Sequence, residues 1–458
     1  MKRKVESSDT PRRKSSRREF LATSGKAAAG SAALAAMAVP RVHAAEDNTI
    51  RLALIGCGSR GSGAVGNALS VPDSGPVKLY AMADVFEDRQ TASHKALIAK
   101  FGQAIDVPPE RRFIGFKAYR NAIDLLRPGD VALLTTRAYP RATHLDYAVE
   151  KGVNVFMEKS FAPDPGGLHR MRRAGKAAEK KNLKIASGLM CRHSVARQAL
   201  VQKIRDGELG DVQLIRAARH GGGRGLAPHK PDQNELEWQV RRSVDFLWGS
   251  SGIFIELLIH QVDECCWLKD AWPVTAHGIG GRIPSSTDCG QNLDAYSIEY
   301  TFADGTTALV GNRNTSGCHN DFATYVHGAK RAAQFSGNIH AATVHTYKDQ
   351  RIDKDNIDWS ADEEPCNPWQ AEWNVLIDAI RNDRPHNETE RSMLSNLVSV
   401  MGRAAVHSGK LITWDEMLAS TFQFCTYVDD LDYDSPVPVQ ADAEGRYPAP
   451  VPGTWSEI

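Results

Sequence analysis

Across 458 residues the chain lacks most of the features that would settle its functional class at a glance. None of its eight cysteines stands in a C-x-x-C pair. Cys265 and Cys266 are adjacent and the others are scattered, so neither a zinc pattern nor a disulfide framework is present. No His, Asp and Cys set has metal-ligand spacing, which disfavours a metal hydrolase and predicts no metal site. No apolar run is long enough to cross a bilayer, and there is no internal repeat. Strong net charge is also missing, with 56 Lys and Arg against 55 Asp and Glu, a balance of +1.

That balance hides an asymmetry. The first 44 residues hold ten bases and three acids. They contain Ser16-Arg17-Arg18-Glu19-Phe20-Leu21, an Ala-rich stretch over 27–40, and Val42-His43-Ala44, which fits a small-residue cleavage site. This order predicts a twin-arginine signal peptide over 1–44, the export route of proteins that fold and take up cofactors first. The expected location is periplasmic or otherwise extracytoplasmic. Without the leader 46 bases face 52 acids, about −6, which argues against a nucleic-acid or anionic-membrane partner. The remaining 414 residues exceed one typical core and predict two domains.

From Ile50 to Ser187 short apolar strands alternate with helical stretches, the pattern of a doubly wound parallel sheet. Strands are expected at 50–55, 77–83, 131–136, 154–157 and 184–187. The texture then changes. Strands at 211–217, 274–279, 294–302 and 306–312, the last two around Asp304-Gly305 as a hairpin, predict a mostly antiparallel open sheet with helices at 369–382 and 390–409. The predicted class is α/β, with a nucleotide-binding domain over 46–190, an α+β substrate and oligomerisation domain over 191–420, and a Pro-rich and Ala-rich tail over 421–458. That tail is expected to be loose or to lie on a neighbouring subunit.

The loop Gly56-Cys57-Gly58-Ser59-Arg60-Gly61 closes the first strand and opens a helix. G-x-G-x-x-G is weak alone. In this context its glycines allow a tight turn, close approach of backbone to a pyrophosphate, and helix–strand packing. Asp84 ends the next strand, 23 residues after Gly61, where a carboxylate accepts ribose hydroxyls and repels a 2′-phosphate. NAD is therefore expected over NADP.

Oxidising a secondary alcohol needs a base for the hydroxyl proton. Lys159, at the end of the 154–157 strand, is placed to bond the reacting oxygen. Glu256 and His260 are four apart and share a face if helical, so the carboxylate could orient or charge-assist the imidazole. His260 is the expected acid/base, Lys159 its electrostatic partner and Glu256 an anchor. Arg192 and His193, after Gly188, are expected to contact substrate. Trp238, Arg241 and Asn312-Arg313-Asn314 are candidates for sugar stacking and hydroxyl binding.

Four stretches resemble the Gfo/Idh/MocA oxidoreductases: Ala53 to Gly61; Val131 to Thr136 followed by His144; Gly152-Val153-Asn154-Val155-Phe156-Met157-Glu158-Lys159-Ser160; and Glu256 to Asp263. Ser160 stands where the family has proline, Glu256 where it has aspartate, and Leu258 where it has glycine. The resemblance implies that Thr136, His144 and Glu158 lie at the cofactor, Glu158 against the nicotinamide ribose or amide. It also implies a sugar or cyclic polyol substrate and a homo-oligomer. Outside the cytoplasm a tightly held cofactor has to be restored within each cycle. Three readings stay open: internally recycled sugar oxidoreduction, glycoside hydrolysis by transient oxidation and elimination, and a non-catalytic carbohydrate-binding protein on the same fold.

Overall fold

The computed structural model describes residues 48–223, 225–337 and 343–458. The expected leader over 1–44 lies outside the described residues.

The first sheet has six parallel strands: β1 Ile50–Ile55, β2 Val77–Asp84, β3 Arg112–Ile114, β4 Val131–Leu134, β5 Asn154–Met157 and β6 Ile185–Ser187, in the order β3-β2-β1-β4-β5-β6. β4 and β5 are buried at every position, because helices cover both faces and a parallel strand then reads as an unbroken apolar run. This order reverses beside β1, and ligands of such sheets sit at the carboxyl ends of the strands at that switch point.

The second sheet has nine strands: β7 Val212–Gly221, β8 Thr275–Gly281, β9 Ala295–Thr301, β10 Thr307–Asn314, β11 Phe322–Gly328, β12 Ala332–Ser336, β13 His345–Tyr347, β14 Ile357–Ser360 and β15 Ile412–Thr413. Their order is β14-β13-β12-β11-β7-β10-β9-β8-β15, antiparallel except for β7 with β10. β9 and β10 form the expected hairpin at Asp304-Gly305. Tyr296, Ile298 and Tyr300 point into the core while Ser297 faces out, the alternation of a sheet covered on one side.

The Gly252–Lys269 helix lies between the covered face and the first sheet's end of the molecule, and 16 of its 18 residues are buried. A helix enclosed all round shows no apolar stripe, so no periodicity announces it. The Thr389–Ser408 helix packs beside it.

The Pro368–Arg381 helix, from the segment expected to form the second domain, instead seats Trp373, Leu376 and Ile377 in the core of the first sheet. Trp373 stacks on Phe156 of β5 with ring centres 4.5 Å apart. The tail lies neither loose nor away from its own chain. Tyr447 packs edge-on against Phe246, and the buried Glu457 pairs with Arg403 at 2.7 Å and His407 at 3.0 Å.

Candidate active site

The loop after β1 shows what each glycine is for. Gly56 has φ +96°, and a Cβ there would lie 2.5 Å from the Thr136 nitrogen. At Gly61 it would lie 2.3 Å from the Gly56 carbonyl oxygen. At Gly58 it would meet nothing within 4 Å, so the protein leaves open the side from which a pyrophosphate would approach. Gly58 caps the Ser59–Leu69 helix with no side-chain hydrogen bond and no acid in the first turn. Uncapped N–H groups and the positive end of the helix dipole suit an anion. Asp84 accepts from Cys57 N at 2.6 Å and Phe86 N at 2.9 Å, which holds its carboxylate at the loop. Burial raises its pKa and those N–H groups oppose the rise. The cleft is about 760 Å³ and also meets Ser59, Thr136, Glu158 and Lys159. These residues fit a dinucleotide.

Arg60 also borders the cleft, but its Nε lies 2.5 Å from Glu158 Oε1 and its guanidinium 3.6 Å from the fully buried Glu372. His144 sits behind the cleft rather than in its wall. It packs on Tyr119 with ring centres 4.2 Å apart, and burial, with Arg141 adding to it, lowers its pKa to about 3.

Beyond the cleft a pocket of about 320 Å³ brings Lys159, Glu256 and His260 together. Lys159 follows β5, and the Lys159–Ser160 peptide is cis. Its Nζ donates to Glu256 Oε2 at 2.8 Å and to the Glu256 carbonyl at 2.7 Å. Glu256 Oε1 accepts from Ser250 Oγ at 2.8 Å and from Arg137 at 3.3 Å. Burial pushes this carboxyl up, but Lys159, Arg137 and Ser250 outweigh it and hold the pKa at about 2. His260, one helical turn on, is driven well below the ordinary histidine value by burial, with Lys159 and Arg219 adding to the shift. Among the described residues its buried Nδ1 has no hydrogen-bond partner. A neutral imidazole beside an ammonium that can bond the reacting oxygen is the arrangement a proton acceptor requires. The pH profile follows. The acid limb of kcat/KM is expected well below pH 6.5, since His260 stays unprotonated there. An acid limb at 6.5 in a full pH–rate profile would show that His260 titrates normally or is not the base.

Four predicted contacts do not line this pocket. Arg192 forms a two-pronged pair with the buried Asp263 at 2.8 and 2.9 Å and neutralises that carboxylate. His193 lies 3.2 Å from Glu388. Trp238 lies under the Arg242 guanidinium. Arg241 grips Asp88 at 3.0 and 3.1 Å and covers the Phe86 ring, at the rim of the cofactor cleft. Asn312 acts at one remove, donating to the Arg219 carbonyl at 2.8 Å.

Arg137, Arg219, Ser250 and Trp369 are pocket or supporting residues that sequence reasoning missed. Arg137 carried a readable signal, since it directly follows Thr135-Thr136 at the end of a buried strand. Of the other three, Arg219 lies on a strand and Ser250 and Trp369 on helices, none of them within a motif.

A parallel sheet of Rossmann-like order joined to an open mixed sheet, with lysine, carboxylate and histidine converging in one pocket, defines an α/β protein of dehydrogenase type. The relatives it resembles are sugar and polyol dehydrogenases of the Gfo/Idh/MocA kind. No protein-family model matches the chain. Inositol 2-dehydrogenase of Rhizobium meliloti (strain 1021) is 24% identical over 286 residues, 62% of this chain and 74% of that protein. Aldose-aldose oxidoreductase from Caulobacter crescentus, solved with glycerol, aligns over 80% of this chain and all (100%) of its own at 16% identity, with a TM-score of 0.60. Scyllo-inositol dehydrogenase from Lactobacillus casei, solved with NAD(H) and scyllo-inositol, aligns over 81% of this chain and 100% of its own at 16% identity, with a TM-score of 0.59.

Proposed function

We propose that this chain is an NAD-dependent oxidoreductase acting on a ring hydroxyl of a sugar or cyclic polyol, exported by the twin-arginine route with its cofactor already bound and recycled in place. The observation that carries the reading is the Lys159–Glu256–His260 set opening onto the dinucleotide-shaped cleft. When bound, NAD supplies the hydride acceptor. Lys159 bonds the reacting oxygen and steadies the negative charge that develops as its proton leaves. His260, neutral beforehand, takes that proton. Glu256 stays ionised, anchors Lys159 and keeps the ammonium aimed into the pocket. Asp84 and the uncapped helix start hold the adenosine end and the pyrophosphate.

Retention of the cofactor is supported by the strapping of the segment after β2. The tail's Tyr433 donates to the Val85 carbonyl at 2.7 Å and meets Phe116 edge-on at 5.1 Å, while Arg241 clasps Asp88 from the other side. Native mass spectrometry is expected to find NAD on protein purified without added cofactor, and a sugar screen to give nicotinamide absorbance changes that do not scale with external NAD. Protein that elutes stripped and consumes added NAD stoichiometrically would overturn the closed cycle while leaving the dehydrogenase reading intact.

A further inference from the structure

The pocket holds more positive charge than the reaction uses. Four cations border it, Arg60, Arg137, Lys159 and Arg219, against two carboxylates, Glu158 and Glu256. Arg60 is balanced by Glu158. Glu256 is shared between Lys159 and Arg137. Glu372, behind Arg60, lies outside the pocket, and burial favours its neutral form. Two positive charges are left without a counterpart. One belongs to chemistry, because a departing hydroxyl proton leaves an alkoxide that needs a cation beside it. The other has no use in a reaction on a neutral sugar.

Its place is Arg219, on β7. One terminal nitrogen donates to the Leu257 carbonyl at 2.7 Å, and the guanidinium lies 4.6 Å from the Phe322 ring centre. No carboxylate forms an ion pair with it among the described residues. Glu256, the carboxylate that acts on it through space, is already held twice. Burial penalises this cation, and among the described residues no ion pair offsets that cost. A guanidinium anchored on one edge, with its remaining donors free in a pocket, is preorganised for a planar oxyanion. Volume narrows the class. At about 320 Å³ the pocket is at the small end of ligand sites, room for one monosaccharide ring and too little for a nucleotide-linked sugar. One surplus cation matches one negative charge, which favours a carboxylate over a phosphate dianion.

We infer that the substrate is a monosaccharide acid of the hexuronate type, whose carboxylate is held by Arg219 while a ring hydroxyl meets Lys159. This rests on the oxidoreductase reading for the reaction but not for the binding.

The test is calorimetric titration of the NAD-bound protein with glucuronate, galacturonate, glucose, galactose and glucose 6-phosphate, followed by steady-state turnover on each. At least one uronate is expected to bind ten-fold or more tightly than its neutral parent. Arg219→Gln is expected to weaken uronate binding roughly ten- to hundred-fold, the loss of a charge-assisted contact, and at least ten times more than it weakens binding of the neutral sugar. Arg219→Lys, which keeps the charge and loses the fork, falls between. Equal binding of glucose and glucuronate by the unaltered protein would overturn the inference, as would tighter binding of glucose 6-phosphate than of any uronate. An equal loss for acid and neutral sugar in Arg219→Gln would do the same. The unaltered protein decides the question even if both variants fail to fold. Uronate binding that depends on Arg219 without any nicotinamide reduction would sink the oxidoreductase reading and leave the carboxylate site standing. Turnover of neutral polyols alone would do the reverse.

Discussion

Lys159→Ala is expected to lower kcat by roughly 10²–10⁴-fold, the range for losing a positioned proton-transfer partner. The ammonium makes two contacts to one residue, the carboxylate and the carbonyl of Glu256, and these fix where its third proton points. Removing it leaves Glu256 with Ser250 and Arg137, so the carboxylate keeps donors and the fold survives. Its pKa then rises from about 2, since the first of the groups opposing burial is gone. NAD affinity is expected to change little, because the glycine loop and Asp84 are untouched. Lys159→Arg is not expected to rescue the rate, since a planar fork cannot take the place of a compact ammonium on the same two acceptors. The check is kcat with bound-NAD content measured on the same sample. Unchanged turnover on every sugar that the unaltered protein oxidises would remove Lys159 from the chemistry.

The second large effect separates folding from cofactor binding within six residues. Gly61→Ala puts a methyl 2.3 Å from the Gly56 carbonyl oxygen and 2.6 Å from Thr135 Oγ1. The nearer neighbour is backbone and cannot swing aside, so a loss of about 3 kcal/mol is expected, at the upper end of overpacking costs. Gly58→Ala meets no protein atom within 4 Å, and its φ of −73° suits any residue. Stability should move by less than about 0.5 kcal/mol. Its methyl occupies the approach to the pyrophosphate, however, and NAD affinity should fall by at least ~10-fold, equivalent to 1.4 kcal/mol. Denaturant melts and NAD titration on both variants check the pair. A Gly58→Ala protein that keeps full NAD affinity would mean that the dinucleotide lies elsewhere.

The parts legible in the sequence were those whose burial leaves a period or a stop. β1, β4 and β5 are buried, almost wholly apolar runs, β1 stopping at Gly56, and β9–β10 alternate around Asp304-Gly305. The Gly252–Lys269 helix carries two members of the Lys159–Glu256–His260 set, yet it is enclosed on all sides and shows no stripe. β11 to β14 leave no such mark, β12 to β14 being short and β11 mixed in composition. Pairings over distance were invisible. Lys159 and Glu256 are 97 residues apart, and nothing in spacing tells that they touch. The same blindness assigned Arg192 to substrate, because its partner Asp263 lies 71 residues on. The tail's prolines suggested a loose arm, whereas its hydrophobic side chains and Glu457 seat it on its own chain.

The late helix that inserts Trp373 beneath β5 has a consequence for biosynthesis. The first sheet's own strands have emerged from the ribosome well before one wall of its core, which is encoded about 180 residues after β6. Domains that are contiguous in sequence mature in the order they are made. Here one wall of the first layer's core is added only after all but the last strand of the second sheet have been made.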